Sequence, residues 1–296
     1  MQPLFEHRLR IDGYETRALE LEGDGPGLVL LHGWGDSADT WRRLLAELGA
    51  RDRRAIAVDL PGFGHASRLG SGAILPQLDA FAGALVEQWA GDGEAVVVGN
   101  SLGGVTALRL AERADLPLAG IVPVAPAGLQ MPRWFEIVDR DPVVRRLLAL
   151  PLPIAPAVLR AMVGEAYRQL VFARPRAAEA AVVASFAAHH ASREGVAALL
   201  ASGRRLLPEL ATPPFDFDRI ECPVLLVWGT RDRMVPHAGA QILLDALQRG
   251  EAGDEPLGEA VWVELLEDVG HCPQLEATER LLELLLPFPA AVTEAA

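Results

Sequence analysis

Ala95-Val96-Val97-Val98-Gly99-Asn100-Ser101-Leu102-Gly103-Gly104 decides how this chain folds. The opening apolar run, three of its residues valine, reads as a strand buried on both faces. A helical pattern covers Leu102–Arg113 on the other side. A serine at the tip of so sharp a strand-to-helix turn needs small neighbours two residues before and two after it, which Gly99 and Gly103 supply. Gly104 lets the helix pack close. Ser101 then lies at the positive end of that helix, and the amide of Leu102 points where an oxyanion would form.

Strand, glycine-bearing turn and helix recur along the chain. Leu28–Leu31 runs into His32-Gly33-Trp34-Gly35. There the Trp34 amide is the natural second oxyanion donor, His32 would brace the loop, and Gly33 and Gly35 allow the backbone to turn inward; an ordinary left-handed turn is the alternative reading. Val224–Trp228 precedes Gly229-Thr230-Arg231-Asp232-Arg233, an acid at a strand end, with the two arginines as rival ion-pair partners. Val269-Gly270-His271-Cys272-Pro273 puts a histidine between the last strand and the last helix.

Eight strands are expected, at Glu6–Ile11, Glu15–Glu22, Leu28–Leu31, Ala55–Val58, Ala95–Val98, Gly120–Val124, Val224–Trp228 and Val261–Leu265. Helices are expected at Thr40–Leu48, Gln77–Trp89, Leu102–Arg113, Ala238–Leu247 and Pro273–Leu285. The alternation implies right-handed crossovers and a mostly parallel eight-stranded sheet with helices on both faces, its reactive groups at the carboxyl ends of the strands. From Ala127 to Phe217 no strand pattern appears for ~90 residues, too long for a structureless loop. Short helical segments are expected there: Arg133–Val138, Val143–Leu148, Ala157–Met162, Glu165–Phe172, Ala177–His190 and Arg193–Arg205. Residues 127–217 therefore read as a helical cap inserted into a core of residues 1–126 and 218–296.

The 296 residues carry a net charge of −13, which disfavours nucleic acid as a partner. All 27 basic residues are arginines, so P-loop and Schiff-base lysine chemistries are excluded. Cys222 and Cys272 have no metal-ligand spacing, and no metal or cofactor is expected. Residues 116–132, the longest uncharged run, contain four prolines and fall short of the ~20 apolar residues of a membrane span. The start MQPLFEHRLRID carries charges where a signal peptide is apolar, so a cytoplasmic protein is expected. Eleven arginines against eight acidic residues make the 127–217 segment mildly basic over an acidic body. His65 is a candidate for the entrance. Trp134, Phe135, Phe186, His189 and His190 are candidates for either pocket or cap interface, with Phe186 and His190 on one helical face.

In His32-Gly33-Trp34-Gly35, Asp59-Leu60-Pro61-Gly62-Phe63-Gly64, Gly99-Asn100-Ser101-Leu102-Gly103-Gly104, Gly229-Thr230-Arg231-Asp232 and Gly270-His271, the chain resembles the α/β-hydrolase superfamily over nearly its whole length. The order Ser101, Asp232, His271 is that of this architecture. The resemblance implies these three as the catalytic triad, Trp34 and Leu102 as oxyanion amides, a structural turn at Asp59–Gly64, and no cofactor. It implies a serine hydrolase acting through an acyl-enzyme on carboxylic esters of small or medium acyl groups, with a small ester-like molecule as partner. The serine argues against the dehalogenase and epoxide hydrolase branches. Two alternatives stay open: a carbon–carbon bond hydrolase of aromatic meta-cleavage products, which shares Gly-Asn-Ser-x-Gly-Gly, and a ligand receptor with a vestigial site. The sequence assigns no oligomeric state.

Overall fold

A computed structural model describes residues 2–91, 93–129, 155–211, 214–249 and 260–288. It contains eight strands: β1 (Phe5–Ile11), β2 (Tyr14–Leu21), β3 (Asp24–Leu31), β4 (Arg53–Val58), β5 (Ala95–Asn100), β6 (Leu118–Val124), β7 (Val224–Gly229) and β8 (Val261–Leu266). They form one sheet in the order β1-β2-β4-β3-β5-β6-β7-β8. The β1–β2 and β2–β4 pairs are antiparallel, and every pair from β4 onward is parallel. This is the α/β-hydrolase sheet expected above.

Alternate residues of the central strands feed two separate cores. Val29, Leu31, Ile56 and Val97 face α2 (Leu75–Ala90), α3 (Leu102–Ala111) and α7 (Ala238–Arg249). Leu28, Leu30, Val96 and Val98 face α1 (Arg42–Ala50) and α9 (Thr278–Leu285). Burial on both faces is why these strands are continuous apolar runs. The turns after β3, β5, β7 and β8 carry the Trp34, Ser101, Asp232 and His271 segments, so all four lie at the carboxyl edge of the parallel strands.

Three expectations at element level change. The glycines of 23–27 do not keep β3 from starting early: it begins at Asp24, with a register shift against β4 between Asp24 and Leu28. The first helix is a 3₁₀ turn, Ala38–Trp41, followed by α1. The last helix is broken at Ala277, φ −142°, into a one-turn α8 (Pro273–Glu276) and α9.

Between β6 and β7 the described residues form α4 (Pro156–Val171), a 3₁₀ turn (Pro175–Ala177), α5 (Ala180–His189) and α6 (Arg193–Leu210), with no strand. The expected breaks at Gly164 and Arg205 do not occur. Gly164 lies inside α4 where a β-carbon would sit 3.1 Å from Val183 of α5, so it permits a close helix approach and does not end the helix. α6 runs through Pro208 because Leu206 and Leu210 are buried in the core. The segments at Arg133–Val138 and Val143–Leu148, with Trp134 and Phe135, lie outside the described residues. No described helix is long and apolar enough to cross a membrane.

Candidate active site

Ser101 occupies the tip of the β5–α3 turn with φ 54° and ψ −110°, a left-handed conformation that costs a non-glycine residue about 1–3 kcal/mol. Its amide bonds Val124 O at 2.9 Å, which ties the turn to β6. A β-carbon on Gly99 would overlap the carbonyl of Gly103, and one on Gly103 would overlap that of Leu31. Both glycines are thus required by backbone crowding. The residue is 8% exposed.

The His32–Gly35 turn lies directly against it: a β-carbon on Gly33 would be 3.3 Å from Ser101 Cβ. His32 is wholly buried and braces this turn as expected. Its Nδ1 donates to Gly33 O at 2.8 Å and its Nε2 accepts from the Leu60 amide at 2.8 Å, so both nitrogens are used by a neutral ring. Burial holds its pKa below the usual histidine value.

Asp232 and His271 come together as one buried pair. Asp232 Oδ2 accepts from His271 Nδ1 at 2.7 Å, with side chains 0% and 4% exposed. Asp232 Oδ1 accepts from the amides of Met234 and Val235 at 2.7 and 2.9 Å. The rival arginines point elsewhere: Arg231 pairs with Asp268, and Arg233 donates to the carbonyls of Gln169 and Ala173. The other nitrogen, His271 Nε2, is buried with no hydrogen-bond partner among the described residues. The structure therefore joins the acid to the imidazole, while no hydrogen bond joins the Ser101 hydroxyl to Nε2.

What holds these segments side by side is Asn100, a residue of the motif that sequence reasoning assigned no separate role. Its Nδ2 donates to His271 O at 3.0 Å and Val124 O at 3.2 Å. Its Oδ1 accepts from Gln274 Nε2 at 3.1 Å and from Cys272 Sγ at 3.3 Å. The side chain next to Ser101 thus grips the main chain of His271. Cys272 is buried, and burial pushes its thiol well above the ordinary range, so it serves as a protonated donor. Burial likewise pushes the Cys222 thiol up to about 12.

The β6–β7 helices meet the same turn as Ser101. Trp34 Nε1 donates to Ser202 Oγ of α6 at 2.9 Å. His190, after α5, donates from Nε2 to Gly35 O at 2.6 Å. Tyr167 of α4 reaches Asp36 at 3.5 Å. Phe186 packs against His190, as its helical spacing foretold, and also stacks on Tyr167; His189 packs on His65. His189, His190 and His65 are thus interface residues. Asp36 and Ser202 carried no sequence signal, because their partners lie more than a hundred residues away.

Asp59, in the Asp59–Gly64 turn, is structural. Burial raises its carboxyl pKa, but Arg17, at 3.1 Å, and the amides of Ala38 and His65 bring it below the ordinary value.

Residues 28–284 match the Alpha/beta hydrolase family. The chain belongs to that family. This hydrolase is 30% identical over 292 residues to a pimeloyl-(acyl-carrier protein) methyl ester esterase of Methylococcus capsulatus, covering 92% of this chain and 98% of that one. It is 40% identical over 124 residues to the esterase Rv0045c of Mycobacterium tuberculosis, a match that spans 41% of this chain and only 40% of that protein. Among solved structures, the 2-hydroxy-6-oxo-6-phenylhexa-2,4-dienoate hydrolase of Rhodococcus sp. strain RHA1 superposes with a TM-score of 0.74 over 97% of this chain and 99% of that one, at 22% identity, a likeness of fold.

Proposed function

We propose that this hydrolase cleaves carboxylic esters of small or medium acyl groups through an acyl-enzyme on Ser101. The observation that carries the proposal is the buried Asp232–His271 pair, gripped through Asn100 to the strained Ser101 turn. The ester esterases among its relatives support the bond chosen.

In this mechanism His271 Nε2 takes the Ser101 proton as Oγ attacks the acyl carbon. Asp232 keeps the other ring proton on Nδ1 and stabilises the imidazolium. The amides of Leu102 and Trp34 stabilise the tetrahedral oxyanion, where one such donor is typically worth ~10²–10³ in rate. His271 returns the proton to the leaving alcohol, and water then clears the acyl group by the same steps. In this reading α4, α5 and α6, which bond to the turn beside Ser101, belong to a cap of residues 127–217.

Ser101→Ala is expected to abolish hydrolysis of p-nitrophenyl butyrate, and labelling by a fluorophosphonate, with an unchanged circular dichroism spectrum. Retained turnover would end the assignment. A graded ester and thioester panel run beside a vinylogous diketone identifies the bond: faster cleavage of the diketone than of every ester would move it from C–O to C–C.

A further inference from the structure

The mechanism leaves one half-buried carboxylate, bonded to the residue before the histidine, unused. α8 is a single turn, started by Pro273 and stopped at Ala277, and it folds Glu276 back beneath the loop from which it came. Glu276 Oε1 accepts from the amide of Gly270, the residue before His271, at 2.9 Å. Both of its oxygens accept from the amide of Ala173, just beyond α4, at 3.1 and 3.0 Å. The His271 amide itself donates to Val171 O, the last residue of α4, at 2.8 Å. A β-carbon on Gly270 would lie 2.5 Å from Glu276 Oε1 and 2.6 Å from Ala173 N. The histidine loop and the end of α4 are therefore in backbone contact, with one carboxylate stitched through both.

We propose that Glu276 is a positioning residue: by clamping Gly270 to Ala173 it fixes how far His271 Nε2 projects toward Ser101, and makes that position depend on where α4 sits. The role of His271 in this statement rests on the serine-hydrolase reading above. The geometry needs reach more than chemistry. Shortening the side chain by one methylene withdraws the acceptor from Gly270, while the charge stays. An amide of the original length keeps one oxygen where Gly270 and Ala173 can both donate. Backbone amides left unpaired in a buried loop would pull it toward other acceptors, and His271 moves with Gly270. Misplacement of a reacting group by about 1 Å can cost up to ~10²-fold in rate.

The test compares Glu276→Asp with Glu276→Gln in the full chain on p-nitrophenyl butyrate, together with the low-field proton resonance of the Asp232–His271 hydrogen bond. Glu276→Asp should lower kcat at least about tenfold with KM changed less than about twofold, and should shift or broaden the resonance. Glu276→Gln should stay within about threefold of the parent and keep it. Glu276→Asp with parental kcat and resonance, a loss confined to KM or to melting temperature, or Glu276→Gln as slow as Glu276→Asp would each overturn the proposal. Should Glu276→Asp not fold, Glu276→Ala takes its place: the same loss of kcat and of the resonance is expected, and parental values would overturn the proposal. Ser101→Ala, run in parallel, separates the two readings: if it retains turnover the serine assignment falls, whereas the resonance, which requires no turnover, still tests Glu276.

Discussion

Asp36 follows the turn that meets Ser101, and burial pushes its carboxyl up to about 7, despite the Ser37 amide and Thr40 that oppose the shift. An unfolded aspartate titrates near ~3.9, so the folded protein holds the proton more tightly. The stability that Asp36 contributes is complete in acid and is lost as pH rises from about 4 through about 7. Asp36→Asn removes this dependence. Its melting temperature should gain on that of the parent steadily between pH 5 and 7 and level off above, by calorimetry; a constant difference over that range would refute the burial argument. At Asp232 the prediction concerns the tautomer. In Asp232→Asn the Oδ1 bonds to Met234 and Val235 can persist, and the amide nitrogen then faces His271 Nδ1. The ring proton moves to Nε2, where a serine proton can no longer be received, and kcat for the ester should fall about 10⁴-fold with little change in fold. A loss below about tenfold would show that the carboxylate does not set the tautomer.

Elements meet most closely where β5 enters α3. Gly99→Ala would drive a methyl group into the carbonyl of Gly103, and only separation of strand and helix relieves it. By contrast Gly72 has φ +97° but open space around it, so Gly72→Ala costs only the conformational penalty, about 1–2 kcal/mol. Urea denaturation should put the loss for Gly99→Ala above about 4 kcal/mol, well beyond that of Gly72→Ala. Much at this scale was legible beforehand. The central strands follow from burial on both faces in two cores, and Gly99 and Gly103 announced the turn they build. What stayed hidden depended on distant partners. Gly164 looks like a breaker until Val183 is seen beside it. α6 should have stopped short of Pro208, yet its last turn carries Glu209, whose carboxylate accepts from the amides of Ile74 and Leu75 and so caps α2. Asn100 and Glu276 act through main-chain atoms of other loops, a role that no pattern of residue types encodes.

Across the whole molecule, the absence of a strand among the described residues between β6 and β7 was foreseeable from the missing strand pattern, but the points where the helices there attach were not. His190 reaches a carbonyl 155 residues away. Burial lowers the pKa of His190, so the stability it contributes as a neutral ring is present above the unfolded value of ~6.5 and lost as pH falls through the lowered one. His190→Gln offers the same donor without a titrating ring. Hydrogen exchange, corrected for intrinsic rates, should show α5 and α6 of the parent losing more protection between pH 7.5 and 5.5 than those of the variant. Equal losses would mean that His190 does not govern the attachment.

Tyr167 in α4, His190 just after α5 and Ser202 in α6 all dock on residues 34–36. This short stretch lies 131 to 168 residues before its partners in the chain and belongs to them in space. Anyone grafting the β6–β7 helices of one relative onto the sheet of another should move Trp34-Gly35-Asp36 with those helices: a chimera cut at the strand ends alone would separate the socket from its plug.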